Sequence, residues 1–374
     1  MTPKERVLLA LEGREPDRVP SGEFATDYPV VEAALGRQTF WRAKIREIKA
    51  RWQGRRDEIV ESQKRDIVEF TRKMGLEMVP VILVPSVDAS FEKPEFIGPN
   101  TWRDSDGNVL RLAEGSENLL TIKRGDEGRE YTEDDFVYEK PEIDESQLEL
   151  VRHVVSEFGD THFIFARSGD GSISLPGGLL NGIKLCITRP EVVRKAVEVG
   201  LKRVMETDRI FAREGVDGLS PGADYGYNKG TFVHPSVIED LFFPAMKAQC
   251  DHAHSLGVKI LKHSCGNNWP IMDLFVRAGY DAYQSIQPTA GMDIGRLKDL
   301  YGDRICLWGG VSCERLAGGS VDEARQLTRK ALQIAAPGGG LICASSHSLL
   351  VGTKYDNYRA MLQEIQRFGS YPLS

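Results

Sequence analysis

Val258-Lys-Ile-Leu-Lys262 is an apolar strand run that follows a helical stretch at 235–256 and leads directly into His263-Ser-Cys-Gly266. Outward from it the same helix-then-strand order recurs on both sides. Upstream, helix 145–158 precedes His162-Phe-Ile-Phe-Ala166, and helix 190–213 precedes Val216-Asp-Gly-Leu-Ser220. Downstream, helix 269–278 precedes Ala282-Tyr-Gln-Ser-Ile286, 293–301 precedes Arg304-Ile-Cys-Leu-Trp308, 321–335 precedes Leu341-Ile-Cys-Ala344, and 354–368 follows. Two earlier candidates, Arg18-Val-Pro-Ser-Gly-Glu-Phe24 and Met78-Val-Pro-Val-Ile-Leu-Val84, bring the strands to eight. Strands alternating with helices build right-handed βαβ units and a parallel sheet. Eight of them predict a closed (β/α)8 barrel of the TIM type, with an open doubly wound sheet as the competing α/β arrangement.

Around this frame the first helix is expected over 3–13, with Thr2 as N-cap and Gly13 as stop. Residues 27–75 read as helical and strongly charged, with 38–75 as a helical insertion near the N-terminus. Residues 97–140 read as a β-hairpin excursion: Gly, Asp and Asn separate short alternating pieces such as Leu119-Leu-Thr-Ile-Lys123. With no internal repeat or low-complexity linker, the reading is a single domain over 1–374.

The 374 residues are 41% hydrophobic and 28% charged, which excludes a disordered chain and a membrane-embedded one. No apolar run reaches the roughly 18 residues a spanning helix needs. Net charge is −7, which argues against nucleic acid as a general partner. The start Met1-Thr-Pro-Lys-Glu-Arg6 has no signal-peptide core, and six cysteines are too few for a disulfide scaffold. They read as thiols of a cytoplasmic chain, free for metal or chemistry.

In a barrel, chemistry gathers where strands end and the following loops begin. Glu23, Arg167, Asp170, Ser220, Asp224, His263, Cys265, Gln284 and Cys343 stand there. His263 and Cys265 are two apart in an extended segment, so they face one way. Cys343, late on the eighth strand candidate, opens onto the same mouth. One imidazole and two thiolates suit zinc, and three protein ligands leave its fourth position open. The competing reading is core side chains at strand ends. His347 is placed at the mouth as a substrate-binding or structural residue rather than a ligand. Cys186, Cys250, Cys306 and Cys313 lack paired spacing and read as inert buried thiols. His252 and His254 face different ways on a helix, and His153, His162 and His234 have no ligand partner in sequence. Dinucleotide, Walker and nucleophile-elbow motifs are absent. Asp160-Thr-His162 begins the Asp-x-His-x-x-Gly pattern of a cobalamin carrier, but Phe165 stands where glycine belongs.

The opening Met1-Thr-Pro-Lys-Glu-Arg-Val-Leu-Leu-Ala-Leu-Glu-Gly-Arg-Glu-Pro-Asp-Arg-Val-Pro20 resembles the start of the uroporphyrinogen decarboxylase superfamily. So do Asp224-Tyr-Gly, Phe242-Phe-Pro-Ala-Met-Lys247, Lys262-His-Ser-Cys-Gly266, Asp281-Ala, Leu307-Trp-Gly-Gly-Val311 and Ser345-Ser-His-Ser348, in order. The resemblance implies a (β/α)8 barrel. It covers cofactor-free decarboxylases and zinc methyltransferases that exchange a methyl group with a corrinoid protein, including methylcobamide:coenzyme M methyltransferases and O-demethylases. The decarboxylases carry Arg-Gln-Ala-Gly-Arg near the first strand as a carboxylate clamp, where this chain has Ser21-Gly-Glu-Phe-Ala-Thr-Asp27. The methyltransferases carry His-x-Cys and a distant Cys, which His263, Cys265 and Cys343 match.

The resemblance therefore implies zinc on those three residues. It also implies a methyl group moved between a small methoxylated or thiol substrate and a corrinoid (cobalamin) held by a partner protein. Glu23 and Asp224 are the candidate catalytic carboxylates, as fourth ligand or substrate-orienting groups. Arg167, Gln284 and His347 are the candidate substrate-binding residues. Segment 38–75, with eleven Lys or Arg against six Asp or Glu, is the candidate docking surface for an acidic carrier through Arg51, Arg55 and Arg56, or a solvated face. The rival functions are decarboxylation of an acid and a non-catalytic ligand-binding barrel with a closed zinc site.

Overall fold

The sheet begins at β1 (Met78–Val81) in the computed structural model, which describes residues 1–373 apart from 114 and 116. Four antiparallel strands then form a separate sheet, in the order β2 (Glu95–Gly98), β3 (Thr101–Arg103), β4 (Val109–Leu112) and β5 (Leu119–Lys123). The main sheet resumes with β6 (Phe163–Ala166) and β7 (Gly218–Leu219). A small hairpin, β8 (Gly226–Tyr227) and β9 (Gly230–Thr231), interrupts it. It ends with β10 (Lys259–His263), β11 (Ala282–Gln284), β12 (Cys306–Val311) and β13 (Leu341–Ser345). The order β1-β6-β7-β10-β11-β12-β13 follows the chain, and every pairing is parallel.

The eighth stave is the segment after Arg18. The Cys343 amide donates to Pro20 O at 2.9 Å on one side, and the Glu77 amide donates to Ser21 O at 2.9 Å on the other. Ser21 bridges Cys343 and Thr26 bridges Leu349, both in the parallel sense. Pro20 has no N–H to give to a ladder, which keeps this stave short and irregular. Gly22 is required here: a Cβ on it would lie 2.5 Å from the Met78 Cβ, where stave and β1 touch.

Strands buried on both faces read as continuous apolar runs, as in Phe163-Ile-Phe-Ala166 and Leu341-Ile-Cys-Ala344. The period of two divides them into two cores. Met78, Phe163, Phe165, Leu261, Trp308 and Ile342 fill the barrel. Their neighbours Val79, Ile164, Ile260, Leu307, Leu341 and Cys343 face the surrounding helices.

The charged stretch 27–75 is three helices rather than one, Tyr28–Leu35, Lys44–Arg51 and Arg56–Met74. Gly36 and Gly54 end the first two turns of chain in the left-handed region. Its cations are largely spent at home. Arg51 pairs with Glu47, and Arg55 with Glu58 at 2.6 Å. Arg56, 12% exposed, pairs with Glu149 and donates to Pro85 O and Ser146 O. Of the expected carrier-docking triad, Arg56 is thus a strut of the fold, while Arg51 and Arg55 keep a third or more of their side chains in solvent. Among the described residues no helix is long and apolar enough to cross a membrane.

Candidate metal centre at the barrel mouth

His263 is the last residue of β10, in register with Gln284 at the end of β11. Gln284 Oε1 accepts from His263 Nδ1, which assigns the proton to that nitrogen and leaves Nε2 as a lone-pair donor. Burial holds the ring neutral, with its pKa pushed down to about 4; the neighbouring His347 adds to the fall. Phe24 stacks on the ring at 4.1 Å and 8°.

Cys265 sits in the loop just beyond. Its amide donates to Asp224 Oδ1 at 2.7 Å, and Ser285 Oγ donates to its sulfur at 3.2 Å. Ser285 adopts φ +83, a left-handed conformation that non-glycine residues reach at a cost and that gathers at functional sites. Gly266 turns the loop at φ +87, and a Cβ there would meet the β8 backbone at 2.8 Å. Burial, with Asp224 next in size, pushes the Cys265 thiol up to about 12. A divalent cation reverses that balance by favouring thiolate.

His263 Nε2 and Cys265 Sγ are 3.5 Å apart. Two ligands on one tetrahedral zinc, at 2.0 Å for nitrogen and 2.3 Å for sulfur, would be separated by ~3.5 Å. The third donor is His347, two residues past β13. Its ring crosses that of His263 at 72°, with centroids 5.5 Å apart. Donor atoms of His263, Cys265 and His347 all lie within 4.8 Å of one another. Buried His347 Nδ1 has no hydrogen-bond partner among the described residues. Two neutral imidazoles and one thiol, with an unsatisfied ring nitrogen, fit zinc with an open fourth position.

This corrects two expectations. Cys343 is not brought to the group. Its strand neighbours Ile342 and Ala344 point into the barrel, so Cys343 points outward to the helices, fully buried. His347, expected as a substrate contact, occupies the third ligand place instead. The signal was available: a residue beyond the strand end is free of the period of two that binds Cys343.

Arg167 and Asp224 line a mouth cavity of about 410 Å³ together with Phe24, Ile82 and His263. Gln284 acts from behind, through His263. Glu23 is also corrected. It is 2% exposed and does not line the mouth. It accepts from the Ser345 amide at 3.1 Å and from Ser345 Oγ, tying down the start of the loop that carries His347. Burial raises its pKa to about 7. Asp170 turns away to Lys262, and Ser220 Oγ donates to Leu261 O. Phe24 was missed; it faces opposite to Glu23, as the next residue on an extended stave should.

Comparison with known proteins adds the following. The family model for uroporphyrinogen decarboxylase (URO-D) matches residues 174–368, which include all three candidate ligands, Asp224 and Gln284. A solved methyltransferase from Methanosarcina mazei superposes with TM-score 0.67 at 15% identity, over 98% of this chain and 99% of that one. A B12-independent methionine synthase from a Shewanella species, in complex with selenomethionine, superposes with TM-score 0.50 at 9% identity, over 94% and 96%. At such identities the likeness is one of fold. Comparison with curated proteins found no match.

Proposed function

This chain belongs to the uroporphyrinogen decarboxylase family, and from that premise we propose that it is a zinc-dependent methyltransferase acting at the barrel mouth. The observation that carries the proposal is the convergence of His263, Cys265 and His347 within 4.8 Å at the open end of the strands. Zinc bound there would supply Lewis acidity to a sulfur or oxygen of a small substrate. The names of the two superposed structures, both methyl-transfer proteins, support the same class.

The chain's own residues divide the remaining work. Gln284 fixes the His263 tautomer, and Asp224 and Ser285 fix the Cys265 loop. Glu23 fixes the loop of His347. Phe24 walls the site by stacking on the His263 ring, and Arg167, on the same cavity, would hold the distal end of a substrate. Much of the acceleration would come from such positioning, since methyl transfer is an in-line displacement. We take the other methyl partner to be a corrinoid protein approaching over the strand ends, a reading that rests on the family resemblance.

Elemental analysis tests the metal. Wild type and Cys343→Ser should both carry about one zinc per chain, and His347→Ala much less. The opposite pattern restores Cys343 as ligand and removes His347. Reduced cobalamin offered with methoxyaromatics and methylated thiols then tests the reaction through the methyl-cobalt absorption band. Zinc without transfer to or from any of them would overturn methyl transfer.

A further inference from the structure

Beside the mouth lies a second cavity of about 170 Å³, between the barrel rim and the helical insertion. The two share Phe24, Ile82 and Arg167, so they meet along one wall. The insertion supplies Trp41, Arg42 and Lys44 to the far side. Arg42 is held at φ +52, a conformation that costs a non-glycine residue energy and turns this stretch of chain toward the barrel.

The charges here do not balance. Asp27, fully buried, is shared by Arg42 at 2.8 Å and Lys44 at 3.2 Å. Glu47, also on the wall, is engaged by Arg51 and Gln63. Arg167 has no ion pair and no side-chain hydrogen bond among the described residues, and its Nε is buried without a partner. Its guanidinium rests on the Phe24 ring, 4.6 Å from the centroid. Burial, and Arg42 after it, bring its pKa down to about 10, while Asp27 opposes the fall. A half-buried cation with no paired carboxylate is costly, and cation–π contact offsets only part of that cost.

Resting on the reading of the mouth as the place where a small substrate meets the metal ligands, we propose that this side cavity is the subsite for a carboxylate carried by that substrate. Arg167 and Arg42 would receive it, with Lys44 behind. Phe24, Trp41 and Ile82 would enclose an apolar, ring-sized body, and the far end of the molecule would reach His263, Cys265 and His347. The substrate class is thus a small aromatic acid bearing a methylated heteroatom. Guanidinium suits a planar carboxylate through paired hydrogen bonds, which a neutral amide cannot replace.

Calorimetric binding of 4-methoxybenzoate, 4-methoxybenzamide and 4-methoxybenzenesulfonate tests this without any need for turnover. The acid should bind about 10- to 100-fold more tightly than the amide. Arg167→Met should remove most of that preference, read as the ratio of acid to amide affinity, and Lys44→Met a smaller part of it. The sulfonate should fall between acid and amide; binding equal to the acid would mean a general anion site and overturn the carboxylate assignment. Equal affinity for acid and amide, no binding of the acid at millimolar concentration, or a preference that survives in both variants would also overturn it. The two readings fail separately. Acid preference without methyl transfer removes the function and keeps the subsite. Methyl transfer without acid preference removes the subsite alone.

Discussion

Lys262 and His263 are consecutive, yet their side chains leave β10 on opposite faces and enter regions built on opposite terms. Lys262, fully buried, pairs with Asp170 and lies over the rings of Tyr225, Tyr280 and Phe275 at 4.6, 5.5 and 5.7 Å. Asp170 in turn accepts from the Ser172 amide at 3.0 Å. That cation is fully compensated. On the His263 side, Arg167 Nε, Gln284 Nε2 and His347 Nδ1 are buried with no partner among the described residues, whereas on the Lys262 side the atoms so left, the Tyr280 hydroxyl and Asp208 Oδ1, do not belong to a cation. Each such group costs about 1–3 kcal/mol. A fold that pairs the cation on β10 and leaves the one at the end of β6 unpaired gives up stability at the mouth, which is where a ligand could recover it.

The largest expected effect breaks the matched side. Lys262→Met strands Asp170 and should cost about 3–5 kcal/mol in urea unfolding. Arg167→Met should cost nothing or stabilise the protein, because it removes an unmatched charge. Equal losses would erase the distinction between the two regions.

The next effect tests a carboxyl of the matched side that has no ion pair among the described residues. Asp208 is fully buried; burial raises its pKa to about 7, Gln249 opposes the rise and Asp170 adds to it. The folded state therefore holds a proton that the unfolded chain releases near pH 4. Its stabilising contribution is present below that pH and is lost as pH rises to about 7. Asp208→Asn should flatten this fall, a difference on the order of a few kcal/mol between pH 4 and 7. Parallel wild-type and variant curves would show Asp208 ionised.

A smaller change sharpens the mouth. Gln284→Leu should weaken zinc binding by about 10- to 100-fold, read by competition with a chelating indicator, because the His263 ring loses its orienting acceptor. An unchanged affinity would mean that the ring is held by Phe24 alone. The smallest effect is expected outside both regions. Arg55→Glu should leave the melting temperature nearly unchanged, since its polar contacts, to Glu58 and Gln53, are exposed and its guanidinium lies no nearer than 5.8 Å to the Phe40 ring centroid. A measurable drop would mean that the insertion relies on it.

The strand count was legible because each parallel strand is buried on both faces and leaves an apolar run of its own. Even the weak first stave, interrupted by Pro20, was found at Arg18–Phe24. His263 and Cys265 were legible because both stand at a strand end, two residues apart. The third candidate ligand was not, because Cys343 has the softer ligand chemistry and only the phase of β13 shows that it faces away. Charge misled in a similar way. The excess of cations in 38–75 suggested an outer docking face, but counting charges cannot reveal that Arg42 and Lys44 turn inward onto Asp27.

The stave that closes the barrel also dates the site's assembly. Pro20 and Ser21 bond the backbone of residues 77 and 343, so the ring is sealed by a contact spanning more than three hundred residues. Such long closures are entropically the slowest to form. A chain synthesised from its N-terminus carries the Pro20–Ser21 stave with one edge unpaired until β13 has emerged. Phe24 can cover His263 only once the ring is sealed, and His347 arrives only then. On that order the candidate ligands His263, Cys265 and His347 come together only in the closed barrel, so a metal there would bind a finished fold rather than nucleate one.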